Sequence, residues 1–323
     1  MNMRRRDLLG TGLAGAAMMA MPVRAQNFPN KPVRWIVPFA PGGNFDVTSR
    51  IVGEAMGRRL GQTVLVDNRP GAGGVVGLEA TVAAPADGYT VVMGSFTVIG
   101  TAPYMAGKPS MVPLFAPISL LTTVPTMIVT RADSRFADIR SALAEAKAKP
   151  GTVSIGHSGN GTINHIADLQ LQASENVKFN IIPYRGSGPG LADLMAGQID
   201  LYTDQLTTSL PLIRTGKIRP LLILAPNRIT QLPDVPSLKD IGIKPFDCST
   251  TAGVLARAET PAAALDVLNA AVVAALQDDD VKRKLVDLGA EVRPTSRADF
   301  AAHLKDMEAV VAELVKSGLL KPE

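Results

Sequence analysis

Short apolar runs, each closed by a turn and followed by a helical pattern, recur along this chain and leave few folds open to it. Residues 33–39, 64–67 and 90–94 read as strands, with helical patterns over 45–60 and 74–83 between them. A Pro- and Gly-containing stretch at 101–117 breaks the rhythm, and 120–130 carries an extended pattern. A second set follows: helices at 139–148, 162–174, 188–196 and 206–214, alternating with strands at 153–156, 179–184, 199–203 and 220–225. Alternation of this kind builds α/β units with largely parallel sheets. After a loop at 227–247 comes another extended run, 249–255. The chain then ends in helices, one opened by Thr260-Pro261 as N-cap and first helical residue, another by a capping-box-like Ser296 and Asp299. Two α/β sets joined by extended segments near 121–129 and 250–255 imply two lobes with two interlobe crossings. If the terminal helices return to the first lobe, a ligand cleft lies between the lobes. The expected division is 26–124 with 250–323 as lobe 1, and 125–249 as lobe 2.

Four of the turns share one design, in which a strand ends, small residues follow and a helix begins. They are Pro38-Phe39-Ala40-Pro41-Gly42-Gly43-Asn44-Phe45-Asp46, Asn68-Arg69-Pro70-Gly71-Ala72-Gly73-Gly74, Gly156-His157-Ser158-Gly159-Asn160-Gly161-Thr162 and Tyr184-Arg185-Gly186-Ser187-Gly188-Pro189. Singly, each is an ordinary capped βα turn. Together they offer several helix N-termini whose free N–H groups attract anions without lysine or arginine. Three enzyme motifs come close and fail by one residue. Val76 stands where a dinucleotide fingerprint needs its third glycine, Thr162 where a P-loop needs lysine, and Asn160 where a nucleophile elbow needs its last glycine. Ser158, Asp204 and His303 do follow the chain order of one hydrolase triad, so a secreted Ser-dependent hydrolase is the rival reading. His303 sits on the terminal helix beside Phe300 and Leu304, which suits packing better than catalysis. His157 and His165 are eight residues apart without a ligand partner at helical spacing, so no metal site is expected. Arg185 could meet a carboxylate, while Asp46 and Asp204 could cap helices or accept from a ligand. Cys248, the one cysteine, has no partner for a disulfide or a redox motif.

The first 25 residues read as an export signal. Arg4, Arg5 and Arg6 precede Leu8-Leu9, a small-residue apolar run spans 13–21, and Val23-Arg24-Ala25 forms an A-x-A-like cleavage site. The arginine pair is of the twin-arginine type, which would take the folded chain to the periplasm. The apolar run is too short to cross a hydrocarbon core of about 30 Å, so it is not an anchor. The formal charge of +4 suggests an acidic partner until the charges are located. Cleavage after Ala25 removes four arginines and one aspartate and leaves +1. Nucleic acid is therefore not an expected partner, and the mature chain is not expected to be membrane-inserted. Aromatic residues are only 4%, which provides few platforms for stacking bases.

The same segments, in the same order, resemble the substrate-binding proteins of tripartite tricarboxylate transporters, the Bug family of periplasmic receptors. The resemblance is carried by the first, second and fourth turns, by Ala86-Asp87-Gly88-Tyr89-Thr90, and by Ser158-Gly159-Asn160-Gly161-Thr162-Ile163-Asn164-His165. It continues through Leu232-Pro233-Asp234-Val235-Pro236-Ser237 and Asp287-Leu288-Gly289-Ala290. It implies a two-lobed Venus-flytrap receptor that holds a small organic carboxylate and delivers it to membrane permease subunits. Carried over by position, the resemblance places Ala40, Gly43 and Asp46 in the first ligand-binding loop and Ser158, Gly159 and Thr162 in that of the other lobe, to which the exposed amides of the same turns add Gly42, Asn44 and Gly161. Ser95, Thr97, Arg185 and Asp204 complete the set. No catalytic residue, cofactor or metal is implied, and a monomer is expected. A sensor-type receptor with a signalling partner would bind the same ligand. Two positions depart from the family pattern: Thr101-Ala102-Pro103-Tyr104 replaces an asparagine-proline pair, and Gly190 stands where a larger residue is expected.

Overall fold

The computed structural model describes residues 28–322, apart from 245 and 247. The export signal at 1–25 lies outside the described residues. In chain order the elements begin β1 (Val33–Val37), α1 (Asn44–Leu60), β2 (Val64–Asn68), α2 (Val75–Val82), β3 (Thr90–Gly94), α3 (Ala102–Met105), β4 (Phe115–Val124) and β5 (Thr126–Arg131). They continue α4 (Ile139–Ala148), β6 (Ser154–His157), α5 (Ile163–Glu175), β7 (Asn180–Pro183), α6 (Ser187–Met195), β8 (Leu201–Gln205), α7 (Leu206–Arg214) and β9 (Ile218–Ile223). The last are β10 (Thr250–Arg257), α8 (Ala262–Gln277), α9 (Asp279–Asp287), β11 (Glu291–Val292) and α10 (Arg297–Lys316).

The strands form two sheets, one per lobe. The first has the order β11-β4-β10-β3-β1-β2 and the second β7-β6-β8-β5-β9. Within each, βα units supply a parallel set: β1 with β2 and β3, and β6 with β7 and β8. A strand arriving from the other lobe is inserted antiparallel, β10 between β3 and β4, and β5 between β8 and β9. The parallel strands are covered on both faces, so β1 buries Val33, Trp35, Ile36 and Val37 completely. Phe300 of α10 lies over Gly253 of β10, where an added Cβ would stand 2.3 Å from its ring. The terminal helix therefore returns to the first lobe and closes its core.

The extended run at 120–130 is two strands in different sheets. Pro125 separates them, because it has no N–H to continue a ladder; its carbonyl accepts the Leu206 N–H at 3.0 Å. The return crossing is held against the first one: Thr126 Oγ1 donates to the Cys248 carbonyl at 2.9 Å, and Thr250 pairs with Val124. The break expected from residue 101 onward begins differently. A π turn, Thr97–Thr101, runs straight into α3. At the start of α8 the N-cap is Pro261, whose carbonyl accepts from Ala264 and Leu265, so the expected cap Thr260 lies one residue before the observed one and Pro261 is not the first helical residue. Asp138 caps α4 in a full capping box with Ser141, and Ser296 caps α10 by accepting the Asp299 N–H at 3.1 Å.

Candidate functional site

The loop between β1 and α1 is built around a carboxylate. Gly42, at φ +83°, turns the chain so that its N–H donates to Asp46 Oδ2 at 2.9 Å. Arg50 reaches both Asp46 oxygens, at 2.9 and 3.1 Å, and the Asn68 amide donates to Oδ1 at 3.0 Å and to the Phe39 carbonyl at 3.0 Å. Burial works against the charged form, but these donors outweigh it and hold the Asp46 carboxyl below its usual range. Asp46 thus ties the loop from behind. Gly43 is the N-cap and offers no side-chain cap, so the first-turn N–H groups of α1 lack an intrahelical acceptor.

The loop between β6 and α5 uses its amides internally. Gly159 N–H donates to His157 Nδ1 at 3.1 Å, Gly161 N–H to His165 Nδ1 at 3.2 Å, and Thr162 N–H to the Gly159 carbonyl at 3.2 Å. The two imidazoles stack, with ring centroids 4.6 Å apart and planes 12° from parallel. Burial lowers the pKa of both, His165 to about 4 and His157 well below the usual imidazole range, so the rings are neutral. The amides of Gly159 and Gly161 are therefore not the free anion donors expected of this turn: the buried ring nitrogens need them. The hydroxyls of Ser158 and Thr162 line the cleft, but they too are bonded inside lobe 2: Thr162 Oγ1 donates to the Gly159 carbonyl at 2.6 Å and Ser158 Oγ to Asn164 Oδ1 at 3.2 Å.

Across the cleft the four glycine-rich turns meet in pairs. The first meets the fourth: Ala40 N–H donates to the Arg185 carbonyl at 2.9 Å, and an added Cβ on Gly188 would lie 2.6 Å from the Pro41 carbonyl oxygen. The second meets the third, with Gly73 against the Asn160 carbonyl. Between these contacts the lobes enclose a cavity with about 380 Å³ of space not filled by atoms, its open mouth included. Lobe 1 lines it with Phe39, Gly43, Asn44, Phe45, Ser95, Thr97 and Val98; lobe 2 with Ser158, Thr162, Ile163, Asn164, Gly186, Ser187 and Gln205; Thr250 lies at the crossing. No lining residue is ionisable. Phe39 and Phe45 pack edge to face, 5.3 Å apart, as its apolar wall.

Six of the residues expected from sequence line this cavity: Gly43, Asn44, Ser95, Thr97, Ser158 and Thr162. Ser95 and Thr97 share a hydroxyl contact of 2.9 Å at the start of the π turn. Ala40, Gly42, Asp46, Gly159 and Gly161 shape the loops without lining it. Arg185 is exposed and contributes only its carbonyl. Asp204 is buried beneath α7, accepting from Thr208 Oγ1 at 2.5 Å and Ser209 Oγ at 2.6 Å. Burial raises its pKa against those hydroxyls and that of Ser187. Its neighbour Gln205 faces the cavity instead, because alternate strand residues point to opposite faces. Gln205 Nε2 donates to Asn164 Oδ1 at 2.7 Å and to Thr250 Oγ1 at 3.1 Å, joining both lobes across the cavity floor. Sequence reasoning missed Gln205 and Asn164; alternation shows that one of 204 and 205 faces the cleft, but not which.

The hydrolase constellation does not come together. Ser158 Oγ bonds Asn164 Oδ1 at 3.2 Å, Asp204 bonds Thr208 and Ser209, and His303 Nε2 contacts Thr251 Oγ1 at 3.4 Å. Among the described residues no group of His, Cys, Asp and Glu could hold a metal ion, and no helix is long and apolar enough to cross a membrane. Gly190, the second departure from the family pattern, lies against the buried Tyr202 ring, where an added Cβ would stand 2.1 Å from Cε2. It packs the lobe 2 core and does not line the cavity.

Two α/β lobes joined by two crossing strands and closed on a small cavity without ionisable side chains define a two-lobed solute-binding protein. The chain belongs to the tripartite tricarboxylate transporter family of receptors, whose family model matches residues 48–318. It is 34% identical over 298 residues to the protein BugT of Bordetella pertussis, covering 90% of each chain. Its structure is similar to that of the periplasmic binding protein BugD (TM-score 0.86, 31% identity, covering 92% of this chain and 100% of that one). It is also similar to MatC of Rhodopseudomonas palustris with bound malate (TM-score 0.80, 30% identity, covering 88% of this chain and 100% of that one).

Proposed function

We propose that this protein captures a small organic carboxylate in the periplasm and delivers it to the membrane permease subunits of a tripartite transporter, without catalysing a reaction. The observation that carries this reading is the cavity wall: hydroxyls, amides and the uncapped start of α1, set among the apolar side chains of Phe39, Phe45, Val98 and Ile163, with no ionisable side chain. Such a wall suits an anion held by neutral donors in a site shielded from water, where each charge-assisted bond is stronger than in solvent. Malate in the relative MatC supports the same ligand class. The acid accepts from the first turn at Gly43, Asn44 and Phe45 and from the hydroxyls of Ser95, Thr97 and Ser158, the last turning from Asn164 to reach it, while Thr162 lines the site and holds its loop through the Gly159 carbonyl. Asp46, Gly42, Ala40, Gly159, Gly161 and Asp204 hold the loops that present them. The lobes divide at 124/125 and 249/250, and export removes the chain up to Ala25.

A thermal-shift and calorimetric screen of the mature protein against malate, succinate, lactate, citrate, glutamate and benzoate tests the reading. An acid present at a hundred times its Kd should add about 2.7 kcal/mol of stability. No stabilisation by any of them, or consumption of the acid during the assay, contradicts it.

A further inference from the structure

We propose that the side-chain amide of Asn44 couples ligand to lobe closure: one end is clasped by Thr207 of the other lobe, and the other end donates to an oxygen of the bound acid. This rests on the carboxylate reading above and assigns that site a specificity-determining side chain. Asn44 opens α1 in lobe 1 and is 3% exposed. Its Oδ1 accepts from Thr207 Oγ1 at 2.8 Å, and Thr207, on α7 of lobe 2, is 2% exposed. Thr48, one helical turn along, approaches the same oxygen at 3.5 Å. The amide nitrogen is buried, has no protein partner, and belongs to a residue that lines the cavity.

A buried N–H left without an acceptor is destabilising, so this arrangement calls for a partner that the protein does not supply. Both hydroxyls stand at the oxygen end, so the end left to the ligand is a donor only. It suits a carboxylate, keto or hydroxyl oxygen and rejects an ammonium group. The clasp exists only when the lobes are together. In an open form Thr207 moves away with lobe 2 and the amide is free to rotate in water. Closure therefore orients the donor, and a ligand that occupies the donor favours closure. Linkage makes this coupling reciprocal.

The test uses the mature protein and the tightest-binding acid of the six-member panel, with isothermal calorimetry and stopped-flow dissociation. Asn44→Asp keeps an oxygen for Thr207 but turns a second acceptor toward the anion; its affinity should fall about 100-fold. Thr207→Val keeps the ligand contact and loses the clasp; its affinity should fall about tenfold, mainly through faster dissociation. The double variant Asn44→Ala/Thr207→Val should bind no more weakly than Asn44→Ala alone, because the clasp acts through Asn44. Should Asn44→Asp fail to melt cooperatively, Asn44→Ser supplies the same comparison, with a loss expected and no added charge. Asn44 variants that bind within about threefold of wild type, or single effects that add in full, overturn this inference alone. Wild-type protein that binds none of the six acids overturns the carboxylate reading and this inference with it.

Discussion

His157 and His165 show how single buried residues set the chemistry of a whole loop. Each neutral ring uses Nδ1 to accept a glycine N–H, so a proton arriving at that nitrogen removes an acceptor and adds charge where there is little water. For His165 the folded pKa of about 4 lies below the unfolded value near 6.5. Between those two values the unfolded chain binds more protons. The stability from this residue is therefore complete above about pH 6.5 and falls as pH drops toward about 4, by about 3 kcal/mol in all. Urea denaturation at pH 7 and at pH 4.5 should show this loss, and His165→Gln should flatten it; an unchanged pH slope in the variant would count against the assignment. At the same scale, the choice between Asp204 and Gln205 was closed to sequence reasoning, because both are polar and adjacent. Only the direction of β8 in the sheet turns Gln205 to the cavity and Asp204 toward α7.

At the scale of elements, the junction of β1 and α1 is the part most plainly written in the chain. Its glycines permit the turn, and Asp46 returns from the first helical turn to hold it. Replacing Asp46 with alanine leaves the Gly42 N–H, the Asn68 amide and Arg50 without their shared acceptor. A loss of about 1–3 kcal/mol in thermal unfolding, with weaker binding of any panel acid, is the expected result. Because the folded Asp46 pKa is lowered, its stabilisation is present above the unfolded carboxylate value and fades as pH falls below it. Most strands and helices stand within a few residues of where apolar periodicity places them. The exceptions are informative. The π turn at Thr97–Thr101 and the two-residue β11 carry no periodicity of their own, and the division at Pro125 depends on which sheet each half joins.

For the whole molecule, the glycines of the turns matter most where the lobes touch. Gly188 lies inside α6, where alanine is the better helix former by about 1 kcal/mol, yet its Cβ would stand 2.6 Å from the Pro41 carbonyl oxygen across the cleft. Gly188→Ala should therefore leave thermal stability without ligand unchanged or slightly raised, while weakening acid binding about tenfold by obstructing closure. Calorimetry and small-angle scattering with saturating acid would report this, the variant keeping the larger radius of gyration; wild-type affinity would rule it out. The sequence by itself determined the α/β class, the two sets of units, the order of the glycine-rich turns and the family, because strand and helix periodicity and turn chemistry act over a few neighbouring residues. Tertiary structure alone decided which turn meets which, which amides the buried histidines consume, and that Gln205, Asn164 and the free end of Asn44 face the cavity. The histidine bonds depend on burial that the surrounding fold imposes, and the contacts across the cleft join residues far apart in the chain, such as Asn44 and Thr207, which meet only when the two lobes are packed together.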